Sequence, residues 1–374
     1  MHPGLVQRGL DALYYSQLYR LADWMIAGVG AIFCFHRVTE HGHRSGFAPN
    51  AELELRTAFL DELLAMARAQ RWDIVTLDEV QRRLAERRFG RRFLCFTIDD
   101  VYQDTQHLVL PLFRRYDAPF TAFVTTGIPD RSFPIWWFSL EQILRARDAL
   151  WIPGPQGTRR LDGTGPQAKQ AAYLELVQAM RRCLAPTAAF DELCRLNDLT
   201  AGEVVDDIGI TWDGLKAMAG TGLVEIGAHT VNHPCIAALS AEEAEREMVQ
   251  SRRAIEERIG VPVRHFAFPY GHAPAAGPRD FALAKALGFA TAVTTRKRVL
   301  VPEDADRLHA LPRLVLNGSF QKTRYARVLL SGVLGPMESA MLRWKQRGGT
   351  PELPPVTAYP RTQGSGGPES SASG

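Results

Sequence analysis

The chain has 374 residues, enough for one large hydrophobic core or two ordinary ones, and its 46% hydrophobic and 23% charged residues are typical of globular proteins. This composition excludes a chain that is disordered throughout. The 44 basic residues exceed the 41 acidic ones by only three, so overall charge gives no argument for a nucleic-acid partner.

The first 30 residues predict a helical segment that is not a secretory signal, because no basic stretch precedes an apolar core and a cleavage site. The longest apolar stretch there, residues 24–35, is shorter than the roughly 20 residues that span a bilayer. The five cysteines are scattered and form no CxxC pair, which is typical of reduced thiols. We expect a cytoplasmic protein whose apolar N-terminal region leaves room for peripheral contact with the inner face of the membrane.

From residue 31 onward, short apolar runs alternate with amphipathic patterns. The runs lack polar alternation, like strands of a parallel sheet covered on both faces, and lie at 31–35, 93–98, 120–126, 223–227, 265–270 and 290–295. Helical patterns lie at 57–70, 105–116, 240–259 and 278–288. The alternation predicts an α/β fold, either a barrel or a doubly wound sheet, with its chemistry where strands end.

Two regions depart from this alternation. Residues 131–207 carry an aromatic cluster, a Gly/Pro-rich turn and two helical patterns, and predict a mainly helical insertion that packs over the main fold. Residues 321–347 predict a basic helix that either packs on that fold or binds a membrane surface or a partner. The Pro-, Gly- and Ser-rich residues 348–374 predict a disordered tail.

Two adjacent carboxylates, Asp99 and Asp100, end the second apolar run in "FTIDDVYQD". Burying a carboxylate there is costly unless a positive charge lies nearby. A cation would supply that charge, and neighbouring residues of a strand point to opposite sides, so one carboxylate can bind a metal while the other takes protons from metal-bound water. The alternative is a helix cap or a solvated turn.

Two histidines, His229 and His233, follow the run at 223–227 in "GAHTVNHP". Their spacing brings both imidazoles to one side of a turn, and Pro234 favours a loop or a single turn there over a long helix. A surface pair or a satisfied core pair would explain them equally well on their own. Together with an aspartate they predict a catalytic divalent-metal site, with Zn²⁺ expected ahead of Co²⁺ or Ni²⁺.

The segments "FTIDDVYQD", "GAHTVNHP" and "FAFPYG" resemble, in order and form, the three leading motifs of the polysaccharide deacetylase family, also called the NodB homology domain or carbohydrate esterase family 4. The resemblance runs from about residue 33 to 318. It implies a distorted (β/α) barrel over 31–320 that removes acetyl groups from N-acetylated sugars through a metal-bound water.

The resemblance also implies a role for each matching residue. Asp99 corresponds to the catalytic base, Tyr270 to the residue whose backbone N–H binds the oxyanion, and Asp100, His229 and His233 to the metal ligands.

The chain departs from the family motifs at several positions. Val101 stands where glycine is common, and Phe266 and Phe268 stand where a charge-orienting arginine often lies. The family's last motif ends in a histidine that acts as general acid. The nearest candidate here is His309, whose alternative is an exposed loop position, and Arg313 beside it is either structural or substrate-binding.

Three aromatic residues keep two interpretations. His36 in "FCFHRV" either lines the substrate cleft or makes a structural hydrogen bond. Of the paired Trp136 and Trp137, one is expected to anchor the insertion, and the other either does the same or stacks on a sugar ring.

The function implied is a metal-dependent hydrolase that removes N-acetyl groups from an amino sugar in a cell-envelope polysaccharide, glycolipid or precursor. Two alternatives remain open: a catalytically inactive carbohydrate-binding relative, and a metal amidase on a non-sugar amide. The expected partner is an N-acetylated carbohydrate or glycolipid and no nucleic acid. The sequence leaves the identity of the sugar and the oligomeric state open.

Overall fold

A computed structural model describes residues 3–26, 28–41, 46–154, 157–182, 186–200, 202–333 and 335. Its strands are β1 (Gly30–Phe35), β2 (Arg37–Thr39), β3 (Glu54–Arg56), β4 (Asp73–Ile74), β5 (Phe93–Asp100), β6 (Phe120–Val124), β7 (Ala149–Gly154), β8 (Gly157–Asp162), β9 (Val224–Ala228), β10 (His265–Ala267), β11 (Thr291–Val293) and β12 (Leu314–Val315). Its helices are α1 (Pro3–Tyr15), α2 (Leu18–Ile26), α3 (Thr57–Ala69), α4 (Leu77–Ala85), α5 (Leu110–Arg115), α6 (Trp136–Ala146), α7 (Gly165–Arg182), α8 (Pro186–Leu196), α9 (Glu203–Ile208), α10 (Trp212–Ala219), α11 (Ala241–Ile259), α12 (Pro278–Ala286) and α13 (Thr323–Leu330).

Within these ranges, eight strands form one parallel sheet in the order β11-β10-β9-β6-β5-β1-β12, with β4 also paired to β5. The segment between β11 and β12 brings the two edges of the sheet together, since Leu300 bridges Gly30 and Leu311 bridges Val293. The sheet therefore curls into an incompletely closed barrel with helices around it. This confirms the predicted distorted (β/α) barrel.

Side chains of β5 alternate between two hydrophobic clusters. Phe93 and Cys95 belong to a smaller cluster shared with neighbouring strands and α4, whereas Leu94 and Phe96 pack in the large cluster formed with the surrounding helices. All eight residues of β5 are buried, as expected for a parallel strand covered on both faces. The same alternation carries Asp99 to the side of Phe93 and Cys95 at the carboxyl end of the strand.

The barrel strands and helices that the sequence predicts are present, with ends that differ by a few residues. Ser240 begins α11 with a capping box, in which its hydroxyl accepts the Glu243 N–H and the Glu243 carboxylate accepts the Ser240 N–H. The antiparallel hairpin β7–β8 was not predicted, because its residues read as a Gly/Pro-rich turn. It adds a small sheet to the insertion, which is otherwise helical.

The insertion predicted over 131–207 lies between β6 and β9 and contains α6 to α8 and all but the last residue of α9. A buried polar network fixes it to the barrel: the Asn50 amide donates to the Glu141 carboxylate at 2.9 Å, and the Tyr173 hydroxyl donates to the Asn50 amide oxygen at 2.7 Å. Trp136 and Trp137 are both buried, so both pack in the core and neither presents its ring to solvent.

The N-terminal helices α1 and α2 pack against α13 near the other end of the chain, through Leu10, Tyr19, Tyr325 and Val328. The basic helix predicted over 321–347 is observed as α13 up to Leu330, and most of the remainder of that prediction, together with the tail, lies outside the described residues. None of the helices in the described ranges has the length and apolar character needed to cross a bilayer.

Candidate metal centre and catalytic cleft

Asp99, the penultimate residue of β5, is held by a buried arginine. Arg313, which precedes β12, is fully buried and donates to both Asp99 carboxylate oxygens at 2.6 Å. Burial alone would raise the pKa of Asp99, but the guanidinium outweighs it and holds that pKa well below the usual range. Asp99 is therefore an ionised carboxylate, and Arg313 supplies the positive charge that "FAFPYG" lacks.

Asp100 and Val101 turn the chain sharply after β5, with φ angles of 69° and 67° in the left-handed region. A β-branched residue is strained there, so Val101 takes the backbone conformation that a glycine would take without strain. The turn directs Asp100 toward the residues that follow β9. The Tyr102 hydroxyl donates to Asp100 Oδ2 at 3.0 Å. Burial raises the pKa of Asp100, and its Oδ1 accepts no hydrogen bond from the described residues.

His229 and His233 face that oxygen. Their Nε2 atoms lie 3.7 Å and 3.4 Å from Asp100 Oδ1. Burial lowers the pKa of His229 to about 4 and that of His233 to about 3, so both imidazoles are neutral near pH 7. His229 Nδ1 lies 2.7 Å from the Ala267 carbonyl, which can only accept, so Nδ1 carries the proton and Nε2 keeps its lone pair for a ligand.

The loop between the histidines is a tight turn and not a helix, as the proline after His233 predicts. Thr230 and His233 have φ angles of 66° and 50°, and the Thr230 hydroxyl accepts the His233 N–H at 3.0 Å. Glu247 of α11 accepts the N–H groups of Val231 and Asn232 at 2.8 and 3.1 Å. These bonds hold the strained turn so that both imidazoles point at Asp100.

The Asp100, His229 and His233 set fits a divalent metal. Its three ligand atoms lie within 4.8 Å of one another, both imidazoles are neutral, and a buried carboxylate oxygen lacks a hydrogen bond. One carboxylate and two imidazoles with further positions open is the donor set of a catalytic zinc or related site.

Two other clusters of metal-binding residue types occur among the described residues, and in both the carboxylates already accept hydrogen bonds or form ion pairs with other groups. The first contains Asp99, whose two oxygens are held by Arg313. In the second, at the amino ends of the strands, Glu225 accepts the Leu77 N–H at 2.7 Å and the Thr121 hydroxyl at 2.8 Å, and Asp78 pairs with Arg264 at 2.7 Å.

Tyr270 lies at the same site. Its ring centroid is 4.9 Å from that of His233, and its backbone is left-handed with a φ of 62°. The Tyr270 carbonyl accepts the Thr295 hydroxyl at 2.7 Å, whereas its N–H makes no hydrogen bond within the described ranges. That N–H is therefore available to a ligand.

His309 is not brought to this site. It lies in a 3₁₀ segment, Pro302–Ala310, and its Nε2 is 2.7 Å from the carbonyl of Phe289, which precedes β11 at the amino end of the sheet. Asp99, Asp100, His229 and His233 lie at the carboxyl ends. The expectation that His309 is the nearest candidate for the general acid is therefore corrected, because its ring is bonded at the opposite end of the barrel.

His36, unlike His309, lies at the carboxyl ends of the strands beside Asp99. It follows β1, which pairs with β5, and its half-buried ring lies within 4.8 Å of the Asp99 carboxylate and the Cys34 thiol. The Cys34 thiol donates to Asp99 at 3.4 Å, and burial raises its pKa well above the usual value. This position beside Asp99 favours the interpretation in which His36 lines the substrate cleft.

Two residues of the insertion also border the site. The Trp137 ring centroid is 5.1 Å from that of His233, and the guanidinium carbon of the exposed Arg181 lies 5.4 Å from the centroid of Tyr270. Arg181 could not be predicted as a site residue, because an exposed arginine near the end of an amphipathic helix is ordinary.

Comparisons with known proteins bear on the family and the fold of the chain. A family model described as polysaccharide deacetylase matches residues 86–292. The deacetylase PplD of Streptococcus pyogenes, solved with acetate, superposes with a TM-score of 0.53 at 17% identity, covering 81% of this chain and 97% of that one. A Bacillus cereus polysaccharide deacetylase gives 0.50 at 13% identity, covering 80% and 68%. At these identities the two structures establish the fold alone. The comparison with curated proteins found no match.

Proposed function

Because the chain belongs to the polysaccharide deacetylase family, we propose that it is a metal-dependent hydrolase that removes N-acetyl groups from an amino sugar in a cell-envelope polysaccharide, glycolipid or precursor. The observation that carries the proposal is the Asp100, His229 and His233 set beside an ionised Asp99. A bound divalent cation, with zinc first among the candidates, would supply the charge that polarises the acetamide carbonyl and acidifies water.

Three residues around the site have separate roles in the proposed reaction. Asp99 accepts the proton of the attacking water, since a carboxylate has about four acceptor positions and Arg313 and Cys34 take three of them. The Tyr270 N–H donates to the oxyanion of the tetrahedral intermediate. His36 gives a proton to the departing amine, because its ring is half-buried beside Asp99 and lies outside the ligand set.

Two features support turnover over a binding-only relative. Val101 keeps the left-handed turn that a glycine would give, so the substitution leaves the direction of Asp100 intact. His36 offers an imidazole at the cleft although the expected His309 is remote.

The test is acetate release by the protein loaded with zinc, cobalt or nickel, offered N-acetylglucosamine oligomers beside simple N-acetyl amides. Release from the sugars alone is expected, and Asp99→Asn should reduce it at least about 100-fold. Release from the simple amides alone would identify a metal amidase. Binding of the oligomers without release would identify a carbohydrate-binding relative.

Replacing His36 with glutamine should lower acetate release from an N-acetyl sugar by about 100- to 10,000-fold, because an amine is a poor leaving group without a proton. Metal content should stay unchanged, since His36 is outside the ligand set. An aryl acetate, whose phenolate leaves without protonation, should be hydrolysed by the variant nearly as fast as by the wild type.

The matched control is His309→Gln, which alters a ring at the far end of the barrel and should leave both rates within about twofold. Equal loss of both reactions in His36→Gln would contradict the acid role and indicate a structural one.

A further inference from the structure

The two N-terminal helices present an apolar surface to solvent. Eight large hydrophobic side chains are exposed among the described residues, and six of them belong to α1 or α2. We call these six the N-terminal apolar face, and they are Leu5, Tyr15, Leu18, Leu21, Trp24 and Met25. Trp24 is 83% exposed. Apolar residues scattered singly need no explanation, but a group on two consecutive helices does.

The opposite sides of the same helices are fixed to the barrel. Tyr19 of α2 and Leu10 of α1 are buried against α13. Asp11 pairs with Arg324 at 2.6 Å, and Asp23 pairs with Arg92 at 2.7 Å. The helices therefore cannot rotate to bury the N-terminal apolar face without breaking these contacts.

Uncompensated positive charge lies on the same outward side. Arg8 is exposed between Leu5 and Tyr15 on α1, and Arg20 is exposed four residues before Trp24 on α2. Neither forms an ion pair within the described residues, and the acidic residues of both helices, Asp11 and Asp23, are already paired. The surface thus combines large apolar and aromatic side chains with free cations.

We propose that the N-terminal apolar face docks on the surface of a membrane that contains anionic lipids. Helices with an apolar face, an aromatic residue and interleaved arginines lie in the interface between headgroups and acyl chains. Anionic headgroups neutralise Arg8 and Arg20. A two-fold contact of this face with a second copy of the chain would instead place the arginines against two helices whose carboxylates are already paired. This surface is separate from the residues of the proposed deacetylation.

The test is co-sedimentation of the full chain with vesicles of phosphatidylcholine alone or mixed with phosphatidylglycerol. The wild type should bind the mixed vesicles at least about 10-fold more tightly. The triple variant Leu21→Ser, Trp24→Ser, Met25→Ser should lose binding to both by about 10-fold or more, because it removes three side chains that would enter the interface. Arg8→Gln with Arg20→Gln should weaken binding to the mixed vesicles by about fivefold per arginine.

The chain offers a matched control in Trp151 and Leu174, the two exposed large hydrophobic residues of the insertion. Serine at both should leave vesicle binding unchanged. Absence of wild-type binding to the mixed vesicles, or equal binding by the triple variant, would overturn the proposal. So would a dimer in light scattering that the triple variant dissociates while vesicles bind neither protein. Acetate release from a soluble substrate should be the same in all these variants, so failure here is distinguishable from failure of the proposed function.

Discussion

Asp100→Ala and His233→Ala should each abolish retention of a divalent metal and reduce acetate release by about 1,000-fold or more. Each variant removes one of three ligands, and a cation that supplies several kcal/mol to the transition state accounts for a loss of that size. The measurement is metal content by atomic emission after dialysis against chelator and refilling with zinc or cobalt. The wild type should hold close to one equivalent.

The cluster of Asp78, Glu225 and His265 provides the control for this experiment. Asp78→Ala alters the group formed with Glu225 and His265 at the amino ends of the strands, and should leave the metal in place. Circular dichroism should show that all the variants are folded. Loss of metal in Asp78→Ala together with retention in Asp100→Ala and His233→Ala would move the metal to the other end of the barrel. Absence of metal from the refilled wild type would contradict the proposed deacetylase mechanism.

The ligand set could be predicted from the sequence because each ligand lies at the carboxyl end of a strand or in the turn that follows it. Parallel strands bring their carboxyl ends to one edge of a sheet, so residues 99–100 and 229–233 meet although more than 120 positions separate them. The strands themselves were recognisable because burial on both faces removes polar residues from them.

The partner of Asp99 could not be predicted in the same way. Arg313 precedes a strand of only two residues, which is too short to give a pattern, and the arginine lies near Asp99 because β12 pairs with β1, which pairs with β5. His309 was predicted only as the histidine nearest to the family's last motif. Its ring instead lies 2.7 Å from the Phe289 carbonyl at the amino end of the sheet, which the order of residues in the sequence does not reveal.

Arg313→Met should lower the free energy of unfolding by about 3–5 kcal/mol, because it leaves the Asp99 carboxylate buried without its positive charge. Arg313 also donates to the Thr97 hydroxyl at 3.0 Å and the Thr294 carbonyl at 3.0 Å, so its loss leaves two further buried groups short of a hydrogen bond. Chemical denaturation measures the change. The free energy of unfolding of Arg313→Lys should lie between those of the wild type and Arg313→Met, since lysine keeps the charge but cannot bind both oxygens in parallel.

A double variant separates the ion pair from packing. Asp99→Asn alone leaves a buried guanidinium without its carboxylate and should also be costly, whereas Asp99→Asn with Arg313→Met removes both charges and should cost less than the two single changes together. The exposed pair of Arg87 and Asp306 is the reference, and Arg87→Met should change stability by less than about 1 kcal/mol. Strict additivity of the two buried substitutions would mean that Arg313 contributes through its bulk, and that Asp99 depends on something other than Arg313 to remain an ionised base.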